Sequence, residues 1–441
     1  MNTIVALSTA PLNCAIHVIR ISGDQVYEII NRIIDRKIKK EDYKIELVNI
    51  MDGDKLIDNV LLMKFKAPKS FTGEDLVEIN CHGGMFIAKK IIELVIKNGA
   101  NYAKAGEFSQ RALLNGKMDL INVESINNII NAKNDLSLTL AHNGLNNKLS
   151  SKLKKLNKKI FMLIGQIEVN IDYPEYDDVQ VITNKKLIGE LTVILKEINL
   201  LLELSTRVIK ISEGIKVAII GKPNVGKSSI LNKILDEKKA IVSNVPGTTR
   251  DLVEGKANYK NFSFNFIDTA GIRDKANRIE NFGIKKAREA YKKADIVLYV
   301  VDSKKSIDDF DKKEIKKLKN IPYILIYNKK DLVKNYQTDG INFSIKQDKI
   351  DIIMNAILEK IGAEDFLMSD LTLLQNNRQI GLLKNIIEVL KKILLNAKNN
   401  DSIDLLVEDL NQVHSKFNEI LGQGQDIEFL DELFKNFCIG K

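Results

Sequence analysis

Gly221-Lys222-Pro223-Asn224-Val225-Gly226-Lys227-Ser228 spells G-x-x-x-x-G-K-S directly after the apolar run Ile215 to Ile220. This spacing requires a strand, a glycine turn and a helix in that order. Only then do successive backbone N–H groups and the helix N-terminus aim at one anion. The helix-like stretch Ser229 to Leu235 completes the unit. A phosphate cradle is therefore expected from Asn224 through Ser229, with Lys227 on the outer phosphates and the Ser228 hydroxyl on Mg2+.

A second apolar run, Tyr323 to Tyr327, ends in Asn328-Lys329-Lys330-Asp331, an N-K-x-D pattern. An ionised carboxylate at Asp331 accepts from the two adjacent N–H donors on the edge of guanine, a donor pair that adenine lacks. The expected nucleotide is GTP. Between the two motifs, Gly247-Thr248-Thr249-Arg250-Asp251 reads as a loop with Thr249 as second Mg2+ ligand. Phe262 to Ile267 alternates as a strand and delivers Asp268-Thr269-Ala270-Gly271. There Asp268 can hold the water shell of Mg2+, and the Gly271 amide can meet the γ-phosphate. Loops ordered by such contacts relax after hydrolysis, which makes the site a switch as well as an enzyme. Ser344-Ile345-Lys346 is the candidate last loop against the base.

Many small GTPases carry a water-orienting glutamine directly after D-x-x-G, where this chain has Ile272. Isoleucine has no hydrogen-bonding group, so another residue must place the nucleophile. Arg273, Asp274, Arg278 and Glu280 lie within reach along the chain, and of these only the carboxylates accept a proton from water.

The 441 residues suffice for about three domains. A formal charge of +9 favours an acidic partner such as RNA without specifying one. Cys14, Cys81 and Cys438 are too few and too scattered for a disulfide framework or a metal cluster, which fits a reducing cytosol. Cys81-His82-Gly83-Gly84 reads as a glycine-directed turn rather than a metal site, and His17, His142 and His414 stand in no motif. Met1 to His17 lacks a basic n-region and is interrupted by Ser8, Thr9 and Pro11, so it does not read as a secretory signal. No uncharged apolar stretch approaches membrane-spanning length, and a soluble, cytoplasmic protein is expected.

Residues 1–118 alternate short β-rich runs with helix-like segments, the pattern of an α+β domain. From 119 to 212 the pattern turns helical, with Leu149, Leu153, Leu156, Ile160, Leu163 and Ile167 forming an apolar seam. After a nucleotide unit spanning 213–364, the same signature returns in 365–441, in Ile380, Leu383, Ile387, Leu390 and Leu394, then in Leu406, Leu410, Val413 and Phe417. The arrangement expected is a multidomain α+β and α/β protein. In it the P-loop α/β domain is inserted into one discontinuous helical domain. Two helical segments packed independently are the alternative. Lys148, Lys152, Lys154, Lys155, Lys158 and Lys159 decorate the first seam helix and read as its solvated face, with phosphate contact as the competing role.

Phe71-Thr72-Gly73-Glu74-Asp75 with Glu78 and His82-Gly83-Gly84 are similar to motifs of the tRNA modification GTPase family called MnmE or TrmE. So are Gly106-Glu107-Phe108-Ser109 with Arg111-Ala112 and, above all, the terminal Phe437-Cys438-Ile439-Gly440-Lys441. The resemblance spans essentially the full chain. It implies an N-terminal domain that binds folate and dimerises, the discontinuous helical domain, and an inserted K+-dependent GTPase domain. It further implies a homodimer that joins an FAD-dependent partner, MnmG or GidA, in a heterotetramer. That complex acts on tRNA, installing an aminomethyl or carboxymethylaminomethyl group at C5 of the wobble uridine.

Carried over by motif, Arg20, Glu78, Lys117 and Lys441 surround 5-formyl- or 5,10-methylene-tetrahydrofolate, and Cys438 faces that pocket with a role in the modification chemistry. Asn224, Ser243, Val245 and Thr248 match the K+ ligands. Asn244 and Pro246 extend the nucleotide-binding segment, and Glu280 matches the water-positioning carboxylate. One departure stands out: Pro11-Leu12-Asn13-Cys14-Ala15 occupies a loop that in the family contains glycine and arginine. Two other readings share the phosphate loop. One is a ribosome-assembly GTPase of the Era or Der type, which calls for an RNA-binding domain or a second G-x-x-x-x-G-K-S that this sequence lacks. The other is a regulatory GTP switch on a folate-binding scaffold.

Overall fold

Near-continuous apolar runs at Ile215–Gly221 and Ile296–Asp302 leave no polar face, which is the pattern of strands covered on both sides. The computed structural model describes residues 2–39, 45–172, 183–237, 255–268, 294–318, 321–334, 339–363, 371–400, 402–424, 427–435, 437 and 440. Its described residues contain two six-stranded sheets, in two separate bodies.

The first body takes in Met1–Asn127, Gly144–Leu195 and Gly381–Lys441. Its strands are β1 (Ile4–Leu7), β2 (Ile16–Ser22), β3 (Ile45–Asp52), β4 (Lys55–Phe65), β5 (Leu76–His82) and β6 (Asn101–Tyr102), in the order β3-β4-β5-β2-β1-β6. All neighbours run antiparallel except β1 and β6. Alternation along β2 and β4 sends Ile19, Ile21, Val60 and Leu62 to one face. There they pack with Ile29, Ile30, Ile91 and Val95 of the helices Val26–Ile33 and Met85–Lys97.

In the same body the helix Lys148–Asp172 buries Leu149, Leu153, Leu156, Ile160, Leu163 and Ile167, a single stripe at steps of four and three. That helix packs against Asp404–Leu421, which buries Leu406, Leu410, Val413 and Phe417. A polar set crosses the seam: Asn157 donates to Asn418 at 2.8 Å and lies 2.8 Å from His414 Nδ1. Burial holds the His414 imidazole below its ordinary pKa. Asn157 and Asn418, 261 positions apart in sequence, thus stand on one shared seam.

The second body takes in Asn128–Asn143 and Lys196–Ile380. Its strands are β7 (Ile215–Gly221), β8 (Gly255–Tyr259), β9 (Phe262–Asp268), β10 (Ile296–Asp302), β11 (Tyr323–Asn328) and β12 (Ile341–Phe343), in the order β12-β11-β10-β7-β9-β8. Only β8 is antiparallel to its neighbour. Helices Lys227–Glu237, Asp309–Lys317 and Asp351–Lys360 accompany the sheet. Asn134 donates to the Ser212 carbonyl at 3.0 Å and to Ser263 at 3.2 Å, which ties the 128–143 segment to this body.

Parallel pairing places the strand C-termini on one edge. Gly221 lies beside Val300, Asp302 beside Asn328, Asn328 beside Phe343, and Asp268 beside Ile219. In open parallel sheets that edge is where ligands bind, at the point where the strand order reverses. Here the order reverses around β7. Among the described residues no helix is long and apolar enough to cross a membrane.

Phe417 is fully buried in the helical seam. Phe417→Ala is expected to remove about 3–5 kcal/mol of stability, as aromatic truncations in packed cores do. Urea unfolding followed by circular dichroism at 222 nm measures it. A loss below about 1 kcal/mol would place Phe417 outside a cooperative core.

Candidate guanine-nucleotide site

The phosphate loop folds as it does because two of its glycines have no room for a side chain. Gly221 has φ of +147°, and a Cβ there would stand 2.2 Å from the Val300 carbonyl oxygen. At Gly226, φ is +100° and a Cβ would stand 2.1 Å from Asn328 Nδ2. Asn224 is left-handed as well, with φ of +63°. The loop is therefore pressed onto the ends of β10 and β11, and the helix Lys227–Glu237 starts at its last residues. Lys227 Nζ donates to the carbonyls of Gly221 at 2.9 Å and Lys222 at 2.7 Å, which holds the ammonium over the loop. Ser228 and Ser229 stand in the first helical turn, and both are exposed.

The Asn328–Asp331 segment, expected to read the base, is bonded directly to this loop. Asn328 Nδ2 donates to the Val225 carbonyl at 2.8 Å. Lys329, left-handed at φ of +67°, donates to the Asn224 carbonyl at 3.0 Å and to Asp302 Oδ2 at 2.6 Å. Partial burial pushes the Asp302 carboxyl up, but the Lys329 ammonium and the Lys304 backbone N–H outweigh it, and its pKa lies below the ordinary value. Asp331 Oδ1 accepts from Ser344 Oγ at 2.8 Å, so the turn after β12 meets the carboxylate expected to read guanine. Ile345 and Lys346 follow in that turn, the Lys346 N–H donating to Ser344 Oγ at 3.3 Å. The structure thus brings Asn224, Val225, Gly226, Lys227, Asn328, Lys329, Asp331 and Ser344 together at this edge.

Lys222, Tyr299 and Asp311 are contributions that the motif spacing does not reveal. Lys222 Nζ donates to Asp308 and, at 2.8 Å, to Asp311 Oδ2. Asp311 Oδ1 accepts from the buried Tyr299 hydroxyl at 2.8 Å. The Lys222 hydrogen bond holds the exposed Asp308 carboxyl down to about 2, while burial and Asp311 push the Tyr299 phenol above its ordinary range. Asp308 also caps the helix Asp309–Lys317, accepting from the N–H groups of Phe310 and Asp311. The capping pattern is local and can be read in Asp308-Asp309-Phe310-Asp311. The Lys222 contacts join residues 86 and 89 positions apart and leave no local trace.

Several expected residues lie outside the described ones. They are Ser243, Asn244, Val245, Pro246, Gly247, Thr248 and Thr249 of the first switch segment, and Thr269, Ala270, Gly271 and Glu280 of the second. Cys438 and Lys441 of the tail are also among them. Asp268 closes β9 next to β7.

In the first body, Arg20 donates to Glu78 through Nε at 2.9 Å and pairs with it through Nη2 at 2.8 Å, while its Nη1 donates to the Gly440 carbonyl at 3.1 Å. Its guanidinium lies 5.2 Å from the Phe71 ring centre and 5.7 Å from that of Phe108. Gly440 has φ of +90°, and a Cβ there would stand 2.4 Å from the Leu7 carbonyl oxygen. Lys117 donates to the Pro68 carbonyl at 2.9 Å, a few residues before Phe71 in the chain. Cys81 is buried, which pushes its thiol up to about 11 and keeps it protonated. Among the described residues no group of three or more His, Cys, Asp or Glu is placed to hold a metal ion.

Residues 3–117 match the family model described as GTP-binding protein TrmE N-terminus, and residues 120–438 match the MnmE helical domain. A Ureaplasma parvum serovar 3 protein named tRNA modification GTPase MnmE is 46% identical over 441 residues, covering 100% of both chains. The chain belongs to this family. A Bacillus licheniformis protein of the same name is 37% identical over 459 residues, again covering 100% of each. Among solved structures, a variant of Aquifex aeolicus Era bound to GDP.AlF4- is 28% identical. The match covers 33% of this chain and 56% of that one, with a TM-score of 0.27. The sheet and helices of the first body, the match to a helical-domain model and the mostly parallel sheet of the second body agree with the mixed fold class expected from the sequence.

Gly226→Ala is expected to weaken GDP binding by on the order of tenfold or more, because the methyl displaces Asn328 from Val225. Isothermal titration measures it, with circular dichroism confirming that the chain stays folded. Unchanged affinity would show that the loop has slack at this contact.

Proposed function

We propose that the chain hydrolyses GTP to GDP and phosphate as part of tRNA modification, with the nucleotide held on the C-terminal edge of the second sheet. The observation that carries this reading is the direct bonding of the N-K-x-D segment to the phosphate loop, Asn328 to Val225 and Lys329 to Asn224. Two loops tied in this way fix the distance between base and phosphates, which is the positioning that phosphoryl transfer depends on.

In this reading the amides from Asn224 to Ser229 cradle the phosphates, Lys227 neutralises the outer ones, and Asp331 with Ser344, Ile345 and Lys346 receives guanine. Ser228 and Thr249 would hold Mg2+, with Asp268 behind its water shell. Asn224, Ser243, Val245 and Thr248 would hold K+. Both cations, when bound, would offset the charge that develops as the β–γ bond breaks. The position of Ser228 at the helix start and the left-handed turn at Asn224 fit those roles. Glu280 accepts a hydrogen bond from the attacking water, the task that Ile272 lacks the chemistry for.

The wider proposal assigns residues 1–118 to folate binding and homodimerisation, 119–212 and 365–441 to the helical domain, and 213–364 to the GTPase. Arg20, Glu78, Lys117 and Lys441 would bind the folate carrying a one-carbon group, with Cys438 facing it. The Arg20–Glu78–Gly440 bonds support this by bringing the C-terminal tail to the first sheet. A homodimer joined to the flavoprotein MnmG or GidA would modify C5 of the wobble uridine in the cytoplasm, with GTP turnover timing that reaction.

Turnover of GTP by the intact chain is expected to be at least about tenfold faster in KCl than in NaCl of equal strength, since a bound cation stands in for an arginine finger. Equal rates in the two salts would remove K+ from the mechanism. Glu280→Ala is expected to bind GDP within about twofold of the unaltered chain while single-turnover hydrolysis falls by roughly 10²-fold, the usual worth of a proton-accepting group. Lost GDP binding, or hydrolysis at the unaltered rate, would reassign Glu280.

A further inference from the structure

Asp348 lies four residues beyond Ser344 and is absent from every motif above, yet both of its carboxylate oxygens are committed at the base-reading end. Oδ2 accepts the Ser344 backbone N–H at 2.7 Å. Oδ1 accepts Lys330 Nζ at 2.6 Å, and Lys330 is the residue directly before Asp331. One side chain therefore clips together the two loops that face guanine. Both partners of the ion pair are largely covered, with side-chain exposures of 22% for Lys330 and 12% for Asp348, so water screens the pair less than it would on an open surface.

The clip closes a densely bonded turn. The Ser344 carbonyl accepts the N–H groups of Gln347 at 3.2 Å and Asp348 at 2.9 Å, and its hydroxyl donates to Asp331 Oδ1. Ser344 itself is fully buried. Lys233, on the helix that begins at the phosphate loop, donates to the carbonyls of Ile345 and, at 2.7 Å, Asp348. The turn is thus hung from the same helix that starts the phosphate cradle.

We infer that Asp348 is a positioning residue for guanine recognition: by fixing Ser344 and Lys330 together, it sets the angle at which the Asp331 carboxylate meets the base. The inference rests on the reading of Asp331 as the guanine acceptor. A carboxylate that accepts the N1 and N2 donors of guanine must be held to within about half an ångström. If its aim loosens, guanine loses more than hypoxanthine, which lacks the 2-amino donor. Damage to the loop alone would weaken both bases equally. The ratio of affinities separates the two effects.

The test compares dissociation constants for GDP and IDP, by calorimetry, in the intact chain and in Asp348→Ala, Lys330→Met and Asp331→Asn. Asp348→Ala is expected to cut the preference for GDP over IDP by about tenfold. Lys330→Met leaves Asp348 bonded to Ser344 and is expected to cut it by about threefold. Asp331→Asn is expected to abolish the preference and to raise affinity for XDP. The clip is overturned if Asp348→Ala and Lys330→Met each hold the GDP-to-IDP ratio within about twofold of the unaltered chain while Asp331→Asn abolishes it. A preference that survives Asp331→Asn overturns the base-reading assignment itself. Should Asp348→Ala not fold, Lys330→Met decides the matter.

Discussion

Where Gly221 meets the Val300 carbonyl and Gly226 meets the Asn328 amide, the phosphate loop touches the strand ends with no space left for a methyl group. Everything at the nucleotide edge follows from that contact. Because the loop lies flat on β10 and β11, Asn328 reaches the Val225 carbonyl and Lys329 the Asn224 carbonyl. Because β10 and β11 run parallel in register, Asp302 stands beside Asn328 and takes the other side of Lys329. A cradle for anions built from backbone N–H groups works only if its carbonyls are occupied elsewhere. Here Lys227, Lys329 and Asn328 occupy those of Gly221, Lys222, Asn224 and Val225.

The first body uses the same logic at another glycine. Gly440 sits against the Leu7 carbonyl, where a side chain has no room, and its own carbonyl accepts from Arg20 and Ser8. Arg20 is shared between Glu78 and that carbonyl, with Phe71 and Phe108 at cation–π distance. Both a carboxylate and a carbonyl receive the N–H groups of this partly buried guanidinium, which offsets the cost of its desolvation. Gly440, at the end of the chain, is thereby held to its first strands, 420 positions from Arg20.

What could be read in the sequence was whatever short spacing encodes. The phosphate loop, N-K-x-D and the seam from Leu149 to Ile167 are all local patterns, and the sheet edge and the buried helical stripe follow from them. The unbroken apolar run Ile296 to Val301 marks a strand covered on both faces in the same way. Illegible were the contacts made by residues with no motif of their own. Lys222 meets Asp311, Asp348 meets Lys330 and Arg20 meets the Gly440 carbonyl only because the folded sheets bring them together. An aspartate on a lysine-rich chain carries no local sign of which lysine it will pair with. The family resemblance reached Arg20 and Glu78 by motif, whereas composition and periodicity alone did not.

In the proposed function, guanine-nucleotide turnover at this loop times the modification of tRNA. That coupling is tested most directly in cells whose only copy carries Lys227→Ala, a chain without the ammonium proposed to pair with the outer phosphates. Mass spectrometry of nucleosides from their tRNA is expected to show loss of the C5-modified wobble uridine, as in cells lacking the chain altogether. A normal complement of the modified nucleoside, with the altered protein present at ordinary levels, would contradict the claim.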